Sequence, residues 1–281
     1  MDIGISTFPT DYSIDIAKLA HKAEEYGFES LWVPEHIVVP LKTNSPWAGS
    51  PDGKIPKVYA DMVDPFVALA RASAVTTKIK LGTGICLVPE HHPLLLAKQV
   101  ATLDMYSQGR FLFGIGAGWL REETELLGGD FVHRWTQTRE SILAMKELWT
   151  TVESEFHGKY YDFPAVYSFP RPVQRPHPPV LLGGMARNVF KRVIDYGDGW
   201  MPNRVVPDDI QKGRAALDEL AQAAGRDPRS ITISVFGQSP DRDLLQGFEE
   251  AGADRVMIRV ETANEEDTLK NLDSIAQAVL N

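Results

Sequence analysis

Short runs of β-branched and aromatic residues alternate along the chain with stretches whose apolar positions recur every three or four residues. The first pattern predicts strands and the second amphipathic helices. Strand-like runs fall at residues 2–8, 30–34, 79–87, 110–117, 180–183, 199–202, 231–236 and 255–260. Between them, Ile16, Leu19, Ala20 and Ala23 make one helical stripe, and Val67, Leu69, Ala70 and Ala74 make a second. Later stripes are Leu95, Val100 and Leu103; Ile142, Met145 and Leu148; and Leu269, Leu272, Ile275 and Val279. Gly27 follows the first helix and Pro65 opens the second, in keeping with stop and start chemistry. Several strands are apolar almost throughout, as strands covered on both faces are. Eight strands alternating with eight helices predict an α/β chain folded as a (β/α)8 TIM barrel, a single domain over residues 1–281.

Two connections break the rhythm. A long loop after the second strand, residues 37–63, contains Pro40, Pro46, Pro51 and Pro56 with Trp47 and Tyr59. An insertion there lands on the C-terminal face, where barrel enzymes keep their sites, so a lid is expected. Before the fifth strand, Phe156, Tyr160, Tyr161 and Phe163 flank His157-Gly158-Lys159, which predicts a small hairpin, and a proline-rich lead-in follows.

The net charge of −9 at pH 7 argues against a nucleic-acid or polybasic membrane role. Apolar runs are too short to cross a bilayer and Met1 begins directly on a strand-like run, so a cytoplasmic protein is expected. The single cysteine, Cys86, lies in the apolar run 81–88 and reads as a buried, unreactive thiol.

The strand ends are informative by what they lack. Ser6-Thr7-Phe8-Pro9-Thr10 offers no imidazole for a metal, no lysine stands ready for a Schiff base, and no facing carboxylate pair suits glycoside hydrolysis. Instead Gly82-Thr83-Gly84-Ile85, Gly116-Ala117-Gly118-Trp119 and Gly183-Gly184-Met185 are glycine-rich, so that backbone can approach a flat or anionic ligand. Such ends suggest that a cofactor carries the difficult chemistry. Gly114-Ile115-Gly116-Ala117-Gly118 is a poor dinucleotide fingerprint, because Trp119 occupies the slot where G-x-G-x-x-G needs its third glycine and the segment follows the fourth strand instead of the first. Gly183-Gly184-Met185-Ala186-Arg187 reads as an anion site where a strand gives way to a helix, or as a plain βα turn. His36, at the second strand's end, suits proton exchange or a structural hydrogen bond. Glu35 is expected to face away from it, and His91 and His92 read as structural or rim residues.

Taken together, 23–36, Leu81-Gly82-Thr83-Gly84, Pro93 with Ala97-Lys98-Gln99 and Ser107-Gln108-Gly109-Arg110-Phe111 resemble the bacterial luciferase-like flavin oxidoreductases. The likeness continues through Gly114–Trp119, Glu122-Glu123, Gly183-Gly184 and Gly197-Asp198-Gly199-Trp200, and is greatest to the branch using coenzyme F420. The resemblance implies a barrel binding FMN or F420 at its C-terminal face, with Gly84-Ile85 at a non-prolyl cis peptide behind the ring. It places Glu35, Gly84, Ile85, Gly116, Ala117, Gly118, Gly183, Gly184 and Met185 with the cofactor, makes His36 the catalytic residue and implies no metal. It further implies a small-molecule substrate, a homodimer and, for an FMN-dependent monooxygenase using O2, a separate reductase; a non-catalytic flavin-binding barrel is another alternative. Trp119 stands where sugar-phosphate-oxidising relatives carry a catalytic glutamate, which counts against that substrate class. Arg110, Arg139 and Glu140 are expected to form ion pairs between helices and barrel. Apolar residues near Ala68, Leu69 and Ala72 are candidates for a dimer face.

Overall fold

A computed structural model describes residues 1–280. The expected strands form as β1 (Asp2–Ser6), β2 (Ser30–Val33), β3 (Lys80–Thr83), β4 (Cys86–Leu87) and β5 (Phe111–Gly116). A hairpin, β6 (Glu153–His157) and β7 (Asp162–Tyr167), precedes β8 (Val180–Gly183), β9 (Gly199–Met201), β10 (Thr232–Gln238) and β11 (Arg255–Arg259). All barrel pairings are parallel, and contacts of β3 and β4 with β5 close the ring. Since β3 and β4 are two lengths of one strand, the barrel has eight strands, and the fold is the (β/α)8 TIM barrel. The β6–β7 pair stands apart as an antiparallel hairpin.

The helices are α1 (Ile16–Tyr26), α2 (Val58–Asp61), α3 (Pro65–Ser73), α4 (Pro93–Tyr106), α5 (Arg121–Leu126), α6 (Arg134–Thr150), α7 (Val189–Tyr196), α8 (Pro207–Ala223), α9 (Arg242–Glu250) and α10 (Glu265–Val279). Asp15 caps α1 and Asp64 caps α3 by accepting from backbone N–H groups. Gly27 ends α1 with φ 91°, a left-handed conformation natural to glycine. None of the helices is long and apolar enough to cross a membrane.

Two buried layers result. The larger lies between strands and helices; it includes Leu19, Leu69, Val100 and Met145 from the predicted stripes. The second is the barrel interior, Trp32, Leu112, Leu181, Met201 and Met257, against which Ile85 and Phe236 pack. Arg255 ties down the N-terminal end by donating to both oxygens of Glu29 and to Ser234 Oγ. Against the desolvation that would raise it, Arg255, Lys80 and Ser30 hold the Glu29 carboxyl at about 2.

Three expectations need correction. Ala68, Leu69 and Ala72 are buried within the chain and cannot serve a dimer; the exposed apolar residues on this side are Val67 and Leu95. Arg110 forms no ion pair: its guanidinium donates to the carbonyls of Ser73, Thr76, Ile79 and Ser107, stitching loop ends together. Glu140 accepts from the N–H groups of Tyr160 and Tyr161, bracing the hairpin, while Arg139 does pair with Asp195.

Candidate functional site

A cleft of about 330 Å³ opens at the C-terminal ends of the strands. Its floor is the top of the barrel interior, where Ile85, Met201 and Phe236 emerge. Strand three is interrupted here: the Gly84–Ile85 peptide is cis, in agreement with the resemblance, and it separates β3 from β4. Gly116, on the neighbouring strand β5, packs directly against it, so any side chain there would run into Ile85. A bare backbone at this point therefore leaves Ile85 free to present a flat apolar wall.

His36 lines the same cleft. Its Nδ1 lies 2.5 Å from Glu123 Oε2, and both side chains are almost wholly buried. A carboxylate can only accept, so Nδ1 carries the shared proton and Nε2 is the ring position left for exchange. Glu123 Oε1 accepts from the N–H groups of Ile37 and Val38 at 2.8 and 3.1 Å, so one carboxylate orients the imidazole and anchors the long loop. Glu122 fixes the same loop by accepting from Asn44 N–H. Tyr59 from that loop and Trp119 after β5 pack on the imidazole, with ring centroids 5.0 and 5.8 Å away.

Glu35 turns away from His36, as strand alternation predicts. It accepts from Leu87 N–H at 2.6 Å and lies 3.0 Å from His91 Nε2, pinning the segment after the cis peptide while still bordering the cleft. The pair raises the His91 pKa although burial opposes the charge. His92 caps α4, so neither neighbouring histidine enters the cleft. Burial, reinforced by the Glu35 charge, pushes the Cys86 thiol up and keeps it protonated.

A third carboxyl, Glu90, lies behind this wall. Thr124 donates to its Oε1 at 3.0 Å, while Oε2 has no partner. Burial and then the Glu123 charge push its pKa up to about 9, so it is neutral at pH 7.

Of the residues singled out from the sequence, Glu35, His36, Gly84, Ile85, Gly116, Ala117, Gly118, Gly183 and Gly184 line this one cleft. Met185 does not; its side chain is half exposed. The turn also differs from expectation, because α7 begins only at Val189. Gly184, with φ 91°, gives its N–H to Met201 and its carbonyl to Trp200 Nε1. The unpaired donors are thus the next four N–H groups, of Met185, Ala186, Arg187 and Asn188, which meet no acceptor among the described residues. Sequence reasoning placed Glu123, Tyr59, Phe236 and Asn203 in no site. For Glu123 the available signal was its adjacency to the glycine-rich strand end.

The residues present fit a planar redox cofactor: an apolar wall at Ile85, an imidazole on the same cleft and an unpaired backbone turn beyond Gly184. A parallel barrel with its cleft built this way, and with one oriented imidazole in place of paired acids, defines a cofactor-dependent barrel enzyme. The comparisons make that class specific. The chain belongs to the luciferase-like monooxygenase family, whose model matches residues 7–239. Members of that family are flavin- or F420-dependent monooxygenases and oxidoreductases. An uncharacterised protein of Mycobacterium tuberculosis is 36% identical over 98% of both chains. The F420-dependent glucose-6-phosphate dehydrogenase of Amycolatopsis mediterranei is 31% identical, over 84% of this chain and 68% of its own. The same fold appears in monooxygenase RslO1 of Streptomyces bottropensis (TM-score 0.79, 22% identity, 100% and 99% coverage). It recurs in the F420-dependent tetrahydromethanopterin reductase of Methanopyrus kandleri (TM-score 0.77, 20% identity, 99% and 98% coverage).

Proposed function

We propose that the chain is an oxidoreductase that binds coenzyme F420 in preference to FMN and transfers hydride to or from a small organic substrate. The observation that carries this reading is the His36–Glu123 pair at a cleft that also holds the Ile85 wall and the glycine backbone of Gly84, Gly116, Gly118, Gly183 and Gly184. The cofactor, when bound, supplies the hydride chemistry. Gly84, Ile85, Gly116, Ala117 and Gly118 would hold its ring system, with Glu35 bracing the wall from behind. The turn that follows Gly183, with its unpaired N–H groups from Met185 to Asn188, would take a phosphate; in so acidic a chain an anion is better held by backbone donors than by a basic surface. His36 holds or moves a proton at Nε2, Glu123 fixes its tautomer, and Tyr59, Trp119 and Phe236 exclude water. The F420-dependent relative over 84% of the chain supports the cofactor preference. A cytoplasmic homodimer belongs to the same reading, with exposed Val67 and Leu95 as its candidate face.

Equilibrium titration with oxidised and reduced F420 and FMN tests the proposal. Tight F420 binding with negligible FMN affinity is the expected result. The reverse preference would favour a two-component monooxygenase supplied with reduced FMN by a separate reductase and using O2. Binding without turnover over a broad substrate panel would favour a carrier or sensor.

A further inference from the structure

A second cavity of about 410 Å³ adjoins the cleft and shares Tyr59, Trp119 and Asn203 with it. Trp47 forms another wall, oriented by an Nε1–H donated to Tyr59 Oη at 3.2 Å. His36 packs on both shared rings, so its imidazole stands where the two spaces meet. The remaining wall is Arg204, whose guanidinium lies over Trp47 with 5.6 Å to the ring centroid.

Arg204, an exposed side chain, is one of a few arginines of this acidic chain without a carboxylate partner among the described residues, and the one that lines this cavity. Arg71, Arg121, Arg139, Arg214, Arg229 and Arg255 each pair with a carboxylate. Several others donate to backbone carbonyls, as Arg110, Arg134 and Arg226 do. Arg204 meets neither among the described residues, although acidic groups outnumber basic ones 38 to 29. Its φ of 55° is left-handed, a conformation that a side chain such as arginine adopts at some cost. Arg187, Arg192 and Arg259, also without a carboxylate partner among the described residues, lie outside this cavity. An exposed guanidinium over the Trp47 ring, on the rim of a cavity walled by three aromatic side chains and without a carboxylate partner among the described residues, is suited to an oxyanion, which it can grip with two parallel N–H bonds.

We propose that this cavity is the substrate subsite, and that the substrate is an anion: an apolar body against the wall that Trp47, Tyr59 and Trp119 form, near His36, with its carboxylate or comparable oxyanion on Arg204. This rests on the cofactor occupying the neighbouring cleft as proposed above.

Quenching of the Trp47 and Trp119 fluorescence by 2-naphthoate and by the isosteric neutral 2-naphthamide tests the proposal, on the full chain with and without F420. Wild-type protein is expected to bind the acid about ten-fold more tightly than the amide, the equivalent of one charge-assisted contact. Arg204→Gln should erase that preference and Arg204→Lys should keep part of it, while F420 affinity stays the same in all three. Equal binding of acid and amide to wild type, no saturable binding of the acid, or a preference that survives Arg204→Gln would overturn the proposal. So would a loss of F420 affinity in Arg204→Gln, which would assign the guanidinium to the cofactor. Failure of wild type to bind either cofactor is a separate result and would count against the cofactor reading.

Discussion

At the scale of single residues, Glu123 carries two tasks with its two oxygens, one on His36 and one on the start of the long loop. The two substitutions that separate these tasks should behave differently. His36→Asn is expected to slow turnover by about 10²–10⁴-fold, the usual worth of a positioned acid–base group, and to leave the loop anchored. Glu123→Gln should slow turnover and also make residues 37–63 more readily cleaved in limited proteolysis. Equal protease resistance in both variants would contradict the anchoring role. Glu90 supplies a pH prediction. An acid whose folded pKa, about 9, exceeds its ordinary 4.5 keeps a proton that the unfolded chain releases, so its burial lowers stability progressively as pH rises through that window. Glu90→Gln should therefore unfold at about the same urea concentration as wild type near pH 4.5. Its advantage should then grow by up to about 1.4 kcal/mol per pH unit toward pH 9. Parallel stability curves would contradict the neutral buried acid.

At the scale of elements, the barrel depends on close backbone approach between β3 and β5. A Cβ at Gly114 would run into the Thr83 carbonyl oxygen, which is backbone and cannot swing away, and Thr83 Oγ1 already donates to the Gly114 carbonyl at 2.7 Å. Gly114→Ala is expected to cost about 1–3 kcal/mol in thermal denaturation, as overpacking does. An unchanged melting temperature would show that the two strands can part. Elements with a long period were legible in the sequence: the stripe Ile16, Leu19, Ala20 and Ala23 is buried on α1, and the hairpin around His157-Gly158-Lys159 forms where the aromatic residues suggested. Those that escaped are local. Helix α5 spans six residues, too few to display a period, and so the partner of His36 was not recognised as a site residue. The turn after β8 delays its helix to Val189, because where unpaired N–H groups point depends on turn geometry, which spacing does not encode.

For the whole molecule, eight buried strands and their alternation with helices were readable because burial on both faces leaves a continuous apolar imprint. Which residues share the cleft was partly readable, since a parallel barrel brings all strand ends to one face. The loop's contribution was not: Tyr59 lies 23 residues along the chain from His36, and nothing local requires the two rings to meet. The charge distribution takes on meaning only at this scale. Among the described residues, Arg187, Arg204 and Arg259, at or just past the C-terminal ends of β8, β9 and β11, have no carboxylate partner although the chain is acidic. The central claim is that this face holds a redox cofactor between the Ile85 wall and His36. A crystal structure of the chain grown with F420 tests it most directly. The account predicts the ring against Ile85 with His36 Nε2 facing it and the phosphate at the N–H groups from Met185 to Asn188. A ring bound elsewhere, or a phosphate held away from that turn, would contradict it.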